Sequence, residues 1–221
     1  MGTKFGHISV FDSSLAETKR LLEFLLPSEF QIENFAEMFE AFTGTPYKPD
    51  PARLAIDKQL FAMVSAGRQQ YQIAKNSKLI TVFSEVFGFE NIENTAKNVS
   101  GKTDKKILAT SVFDDQVFVF SVLQRGTCLA THVSGGESYG VKSQAGDAAV
   151  FAQIFEVTKE QGALESILNS NDFPWDRVPK LEQLLGVKLW LLGDKEDGLD
   201  WKRVKSKPSL PPELSGPKGN S

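Results

Sequence analysis

The stretch KILATSVF-DD-QVFVFSVLQ-RG-TCLATHV, residues 106–133, limits the possible folds more than any other part of the chain. Three runs rich in β-branched and aromatic residues are separated by two-residue links, Asp114-Asp115 and Arg125-Gly126. Links this short join only antiparallel neighbours, because a parallel crossover needs about a dozen residues or more. In the middle run Val117, Val119 and Leu123 fall on one face, and Phe118, Phe120 and Val122 on the other. A strand that is apolar on both faces must be covered on both, so the sheet is expected to lie between layers of other structure.

The flanking sequence supplies those layers. GHISVF (6–11) reads as a strand, followed by a helix that Ser13 or Ser14 caps and that carries Leu15, Leu21, Leu22 and Leu25. Pro27-Ser28 ends it, and a second helix has Ile32, Phe35, Phe39 and Phe42 at helical spacing. Asp50-Pro51 opens a third, with Leu54, Phe61 and Val64. QYQIAK-NS-KLITVFSE (70–85) predicts a hairpin turning at Asn76-Ser77. Phe89, Ile92, Ala96 and Val99 predict a helix closed by Ser100-Gly101. GDAAVFAQIF starts a helix near Asp147, ALESILNS and VPKLEQLLG are two shorter ones, and Gly186 stops the last. VKLWLL (187–192) is expected to be a final strand. The fold class is therefore α+β, a mainly antiparallel sheet with a central three-stranded meander, packed with helices. Residues 4–205 are expected to form one domain with a helical insertion at about 28–66. The Pro/Gly/Ser-rich stretch 206–221 is expected to be a disordered tail.

Composition narrows function by exclusion. The chain has 221 residues, a net charge of −3, one cysteine and two histidines. That balance provides no clustered Lys/Arg footprint for nucleic acid. The lone Cys128 allows neither an intrachain disulfide nor a cysteine metal cage. No apolar run approaches the roughly 18 residues of a membrane span. The expectation is a cytoplasmic protein without a cofactor, a nucleic-acid partner or a membrane partner, for which protein contact remains the open partner class.

Four local patterns are candidates for chemistry. SGGESYGVKS (134–143) has the glycine spacing of a phosphate loop, but Val141 displaces Lys142 and Ser143 by one position. One inserted residue turns a side chain about 100° around a helix, so this stretch is expected to be a loop rather than a phosphate cradle. Asp114 and Asp115, with Asp12 after the first strand, resemble the paired carboxylates that hold a divalent ion around a transferring phosphoryl group. The plainer reading is that aspartate tolerates turn conformations. Cys128 and His132 are predicted to point to one strand face, too far apart to hydrogen-bond. Cys128 is expected to be a small buried side chain, and His132 and His7 satisfied strand residues. NDFPWDRVPK (171–180) combines Phe, Pro, Trp and Arg as contact surfaces do, and with Trp201 it raises the question of exposed aromatics. A packed helix start with Pro179 in its first turn is the preferred reading.

The segments HISVFDSSLAETKRLLEFLL, KLITVFSE and ILATSVFDDQVFVFSVLQRG, then Gly146-Asp147 and LEQLLGV, occur in the order found in a family of uncharacterised α+β proteins, which the chain resembles. Members of that family have a "vtVy-E" strand followed by a "vhDsDvl…l…dG" hairpin. The resemblance implies the fold class and carries no established activity or site residue. The function expected is a non-enzymatic interaction or ligand-sensing module. The alternative is a divalent-metal-dependent phosphate-transfer or hydrolysis enzyme using Asp12, Asp114 and Asp115.

Overall fold

The computed structural model describes residues 2–23, 36, 46–48, 50, 56, 70–85 and 87–205. The chain divides into two compact units, Met1–Leu25 with Tyr71–Val204, and Leu26–Gln70 with Lys205–Ser221. Nearly all described residues belong to the first. Apart from a few scattered positions, the helices expected over 28–66 and the tail 206–221 lie outside the described residues.

Seven strands are described: β1 (Lys4–Phe11), β2 (Gln70–Asn76), β3 (Leu79–Phe83), β4 (Ile107–Phe113), β5 (Val117–Gln124), β6 (Thr127–Ser134) and β7 (Lys202–Lys205). They form one antiparallel sheet in the order β6-β5-β4-β1-β3-β2-β7. The helices described are α1 (Leu15–Glu23), α2 (Ile92–Ser100), α3 (Ala148–Phe155), α4 (Gln161–Leu168) and α5 (Pro174–Leu185). The expected α+β architecture with its β4-β5-β6 meander is present.

Backbone conformation at the turns explains the hairpins. Arg125 and Gly126 both adopt positive φ, 51° and 76°, the form whose twist matches the strands it joins. Asp114 and Asp115 do the same, at 54° and 58°. Phe113 pairs with Val117, however, so Gln116 is an extra residue and that link has three residues rather than two. The β2-β3 turn is formed by Ser77 and Lys78, one residue later than expected, because Asn76 remains in the strand opposite Leu79.

β5 is buried on both faces, as its sequence requires. On one face α2 packs across β1, β4, β5 and β6, burying Ile92, Ala96 and Val99. Its Glu93 accepts hydrogen bonds from Ser121 (2.6 Å) and Thr131 (3.0 Å). On the other face Phe120 meets Phe151 and Phe155 of α3 at ring-centre distances of 4.8 and 5.8 Å. Phe118, Phe120, Phe151 and Phe155 are all fully buried, each contributing roughly 1.5–3 kcal/mol relative to exposure. Asp147 caps α3 by accepting the N–H groups of Ala149 and Val150.

VKLWLL is not a strand. Residues 187–191 have no regular structure, yet Val187, Leu189 and Leu191 are buried in alternation. The period-two pattern arises because this segment lies across the α3 face of the sheet rather than along an edge. It has no neighbouring strand, so side chains complete its backbone hydrogen bonds. Asn76 accepts the Lys188 N–H (3.0 Å) and donates to the Lys188 carbonyl (2.7 Å) and to Thr81 (3.1 Å). Nε2–H of His7 donates to the Leu189 carbonyl (2.9 Å). Glu182 of α5 accepts the N–H groups of Leu189 and Trp190 (2.6 and 2.7 Å). Buried Asp197 accepts those of Leu192, Gly193 and Asp194, and the indole N–H of Trp201.

Asn76→Ala removes three hydrogen bonds and strips both backbone groups of Lys188 of this partner. Urea unfolding should show a loss of about 2–3 kcal/mol, whereas Ser77→Gly, at φ 57°, should change stability by less than about 1 kcal/mol.

Candidate functional site

The strand register separates the three carboxylates expected to share a metal. Lys4 pairs with Phe113 and Val10 with Ile107, which sets the Asp114-Asp115 turn beside the beginning of β1 and Asp12 beyond its other end. At 3.3–3.4 Å per residue the two places are roughly 30 Å apart. Among the described residues no group of three or more His, Cys, Asp or Glu side chains is arranged to hold a metal ion. The turn aspartates act locally instead. Asp114 accepts the Gly2 N–H (3.1 Å) and the Tyr139 hydroxyl (2.6 Å), and Asp115 accepts the Thr3 N–H (2.9 Å). The Tyr139 hydroxyl, then the Gly2 N–H, hold the Asp114 carboxyl below its usual range.

The glycine loop folds back on itself. Gly135, at φ 72°, lies so close to the Gln116 carbonyl that a Cβ would collide with it. Tyr139 and Val141 both donate their N–H to the Gly136 carbonyl (2.9 Å each), and Gly140 donates to Glu137 (3.2 Å). Gln144 exchanges backbone hydrogen bonds with Val133 of β6 (2.8 and 2.9 Å). The amides of Tyr139, Gly140 and Val141 are thus directed at carbonyls within the loop, and that of Gln144 at β6. Lys142 is exposed and upstream of α3 rather than in its first turn.

Cys128 and His132 do not share a face. Val122 pairs with Ala130 but Leu123 with Cys128, so Leu129 is a bulge that reverses the alternation of β6. Cys128 is exposed rather than buried. His132 points to the α3 face and is only 3% exposed.

α5 begins at Pro174, five residues before Pro179, so Pro179 lies inside the helix rather than in its first turn. Phe173 and Trp175 are exposed at its start, contrary to the packed arrangement expected. Trp201 is half-buried against Phe83. The earlier start also places Arg177 in the buried stripe Pro174, Arg177, Val178, Leu181 and Leu185. A charged residue at a stripe position was the signal available in the sequence.

Arg177 is 3% exposed and lines a cleft of about 530 Å³ between the end of β6, the glycine loop and residues 170–173. Its Nη1 donates to the Ser134 hydroxyl and, at 3.3 Å, to Nε2 of His132; its Nη2 donates to the Ser170 carbonyl. Nε has no hydrogen-bond partner among the described residues. Arg177 forms no ion pair within 4.0 Å there, since the nearby Asp172 carboxylate bonds Lys180 at 2.6 Å. Burial lowers the Arg177 pKa, and the Asp172 charge partly offsets this.

No model of a known protein family, no curated protein and no solved structure matches this chain.

Because arginine only donates, Nε2 of His132 is the acceptor and the neutral ring carries its proton on Nδ1. That nitrogen has no partner among the described residues. Gly146 lets the chain pass close to this histidine, since a Cβ there would approach the Phe151 ring to 2.8 Å and the His132 Cβ to 2.9 Å. Burial, and then the Arg177 charge, push the His132 pKa down to about 4. Burial also pushes His7 down to about 4, with its hydrogen bond to Leu189 opposing.

Both histidines titrate at 6.5 when free and near 4 when folded. Between these values the unfolded chain takes up protons that the folded chain refuses, so their contribution is complete above about pH 6.5 and falls with acidification. Urea titrations across pH 4–6.5 should show stability dropping by up to about 1.4 kcal/mol per pH unit for each histidine. His132→Gln should make that slope shallower.

Proposed function

We propose that the chain is a non-enzymatic ligand-sensing module that takes a small anionic group into the Arg177 cleft. The observation carrying this reading is the Arg177 guanidinium, nearly removed from water and without a carboxylate within 4.0 Å among the described residues. A buried charge with no carboxylate in contact is costly, Asp172 offsets this only in part, and an anion entering from the cleft offsets more of it. The hydroxyls of Ser134 and Ser138 line the same cleft and are suited to hydrogen-bond the anion, whereas that of Ser143 is engaged by Glu137. A sensing role fits better than hydrolysis, because His132 is committed to Arg177 and its pKa near 4 makes it a weak base at neutral pH. The separation of Asp12 from Asp114 and Asp115 along β1 weighs against these three carboxylates sharing one ion.

Thermal melts at constant ionic strength test this, comparing acetate, phosphate and sulfate with chloride. A ligand at about 100 times its Kd adds about 2.7 kcal/mol, or a rise in Tm of roughly 5–10 °C. The rise should disappear in Arg177→Met and weaken in Ser134→Ala. Identical melting in all four salts would refute the proposal.

A further inference from the structure

The cleft is bordered by an aromatic surface. Phe173 lines it and is 52% exposed. Its ring stacks on that of Trp175, itself 45% exposed, with centres 4.5 Å apart and planes 11° from parallel. Two large rings laid together in solvent are unusual when the same sequence buries so many other aromatics. Pro174 between them, at the first helical position, restricts the backbone that carries both. The stack therefore forms a flat platform, with Trp175 against Phe173 and much of the Phe173 ring still accessible.

The platform and the cation are in register. Phe173 and Arg177 line the same cleft, and the Arg177 N–H donates to the Phe173 carbonyl at 3.0 Å across the first turn of α5. A ring on Phe173 and an acid at Arg177 are thus within reach of one small molecule. Two carboxylates of the cleft lining, Glu137 and Asp172, limit the charge such a molecule can carry. They repel a polyanion such as a nucleoside triphosphate more strongly than a single acid.

We infer that the cleft selects aromatic monocarboxylates, with the carboxylate held by Arg177 and the planar ring stacked on Phe173. This rests on the anion-binding reading above and adds the ligand's second half. Ring stacking adds to the area that the ring buries, so aromatic acids should bind about tenfold or more tighter than acetate.

The experiment titrates benzoate, phenylacetate and indole-3-acetate against acetate and cyclohexanecarboxylate. Calorimetry provides the affinities, and benzoate quenching of Trp175 fluorescence, assigned with Trp175→Phe, reports on the platform. The expected result is that the aromatic acids bind at least tenfold tighter than acetate and several-fold tighter than the cyclohexyl acid. Phe173→Ser, at an exposed position that tolerates substitution, should bring the aromatic acids down to the affinity of acetate. Equal binding of the aromatic and cyclohexyl acids, or no effect of Phe173→Ser, would overturn the inference while leaving anion binding in place. Phosphate or sulfate binding tighter than every carboxylate would also overturn it. Absence of binding by all of these anions would remove both readings.

Discussion

The segment 187–197 buries Val187, Leu189, Leu191 and Asp197 with no strand beside it, so the backbone groups that turn inward with them need partners from the protein. Each such group left unpaired costs about 1–3 kcal/mol, enough for a few to cancel the stability of a domain. The chain meets this demand with side chains from three places. Asn76 and His7 reach up from the sheet, Glu182 reaches down from α5, and Asp197 gathers three successive amides from within the segment itself. Because Glu182 belongs to α5, these contacts also fix where that helix lies. The position of Arg177, on the same helix, depends on them.

α5 joins two environments. Toward its C-terminal end Val178, Leu181 and Leu185 continue the apolar core beside α3 and α4. At its N-terminal end Arg177 faces β6 and the glycine loop, where Gly135 leaves room for the Gln116 carbonyl and Gly146 for the Phe151 ring and the His132 Cβ. The loop that resembles a phosphate cradle thus contributes to the cleft in another way. The amides of Tyr139, Gly140 and Val141 bond carbonyls of the loop itself, and the side chains it adds to the cleft lining are Glu137, Ser138 and Ser143.

The parts of the fold legible in the sequence are those set by local rules. Arg125-Gly126 specifies its turn because both residues must adopt positive φ, and two-sided apolarity in 117–123 specifies cover on both faces. The parts missed depend on partners distant in sequence. The alternation of VKLWLL reports only that one side is buried, which is equally true of a strand and of a segment laid over a sheet. The Leu129 bulge follows from pairing with β5 and leaves no mark in TCLATHVS itself. Arg177 was concealed by the start of its helix: counting from Pro179 puts it outside α5, and counting from Pro174 puts it on the buried stripe.

How far each buried polar group is matched separates scaffold from site. Asn76 both donates to and accepts from its neighbours, and Asp197 collects four N–H donors, so a ligand would find little to bind in either. His7 keeps an Nδ1 without a partner among the described residues, but it is fully buried beneath Leu189 and is not part of the Arg177 cleft, so its unused nitrogen is a cost borne by the fold. Arg177 and His132 combine hydrogen-bonding capacity unused among the described residues, a charge only partly offset by Asp172 and a position along a cleft. A neutral His132 is what makes this arrangement tenable: a second positive charge 3.3 Å from the guanidinium would be strongly repelled, whereas the neutral ring accepts its hydrogen bond. The histidine keeps the cation in place without neutralising it, and the charge remains available to whatever enters the cleft.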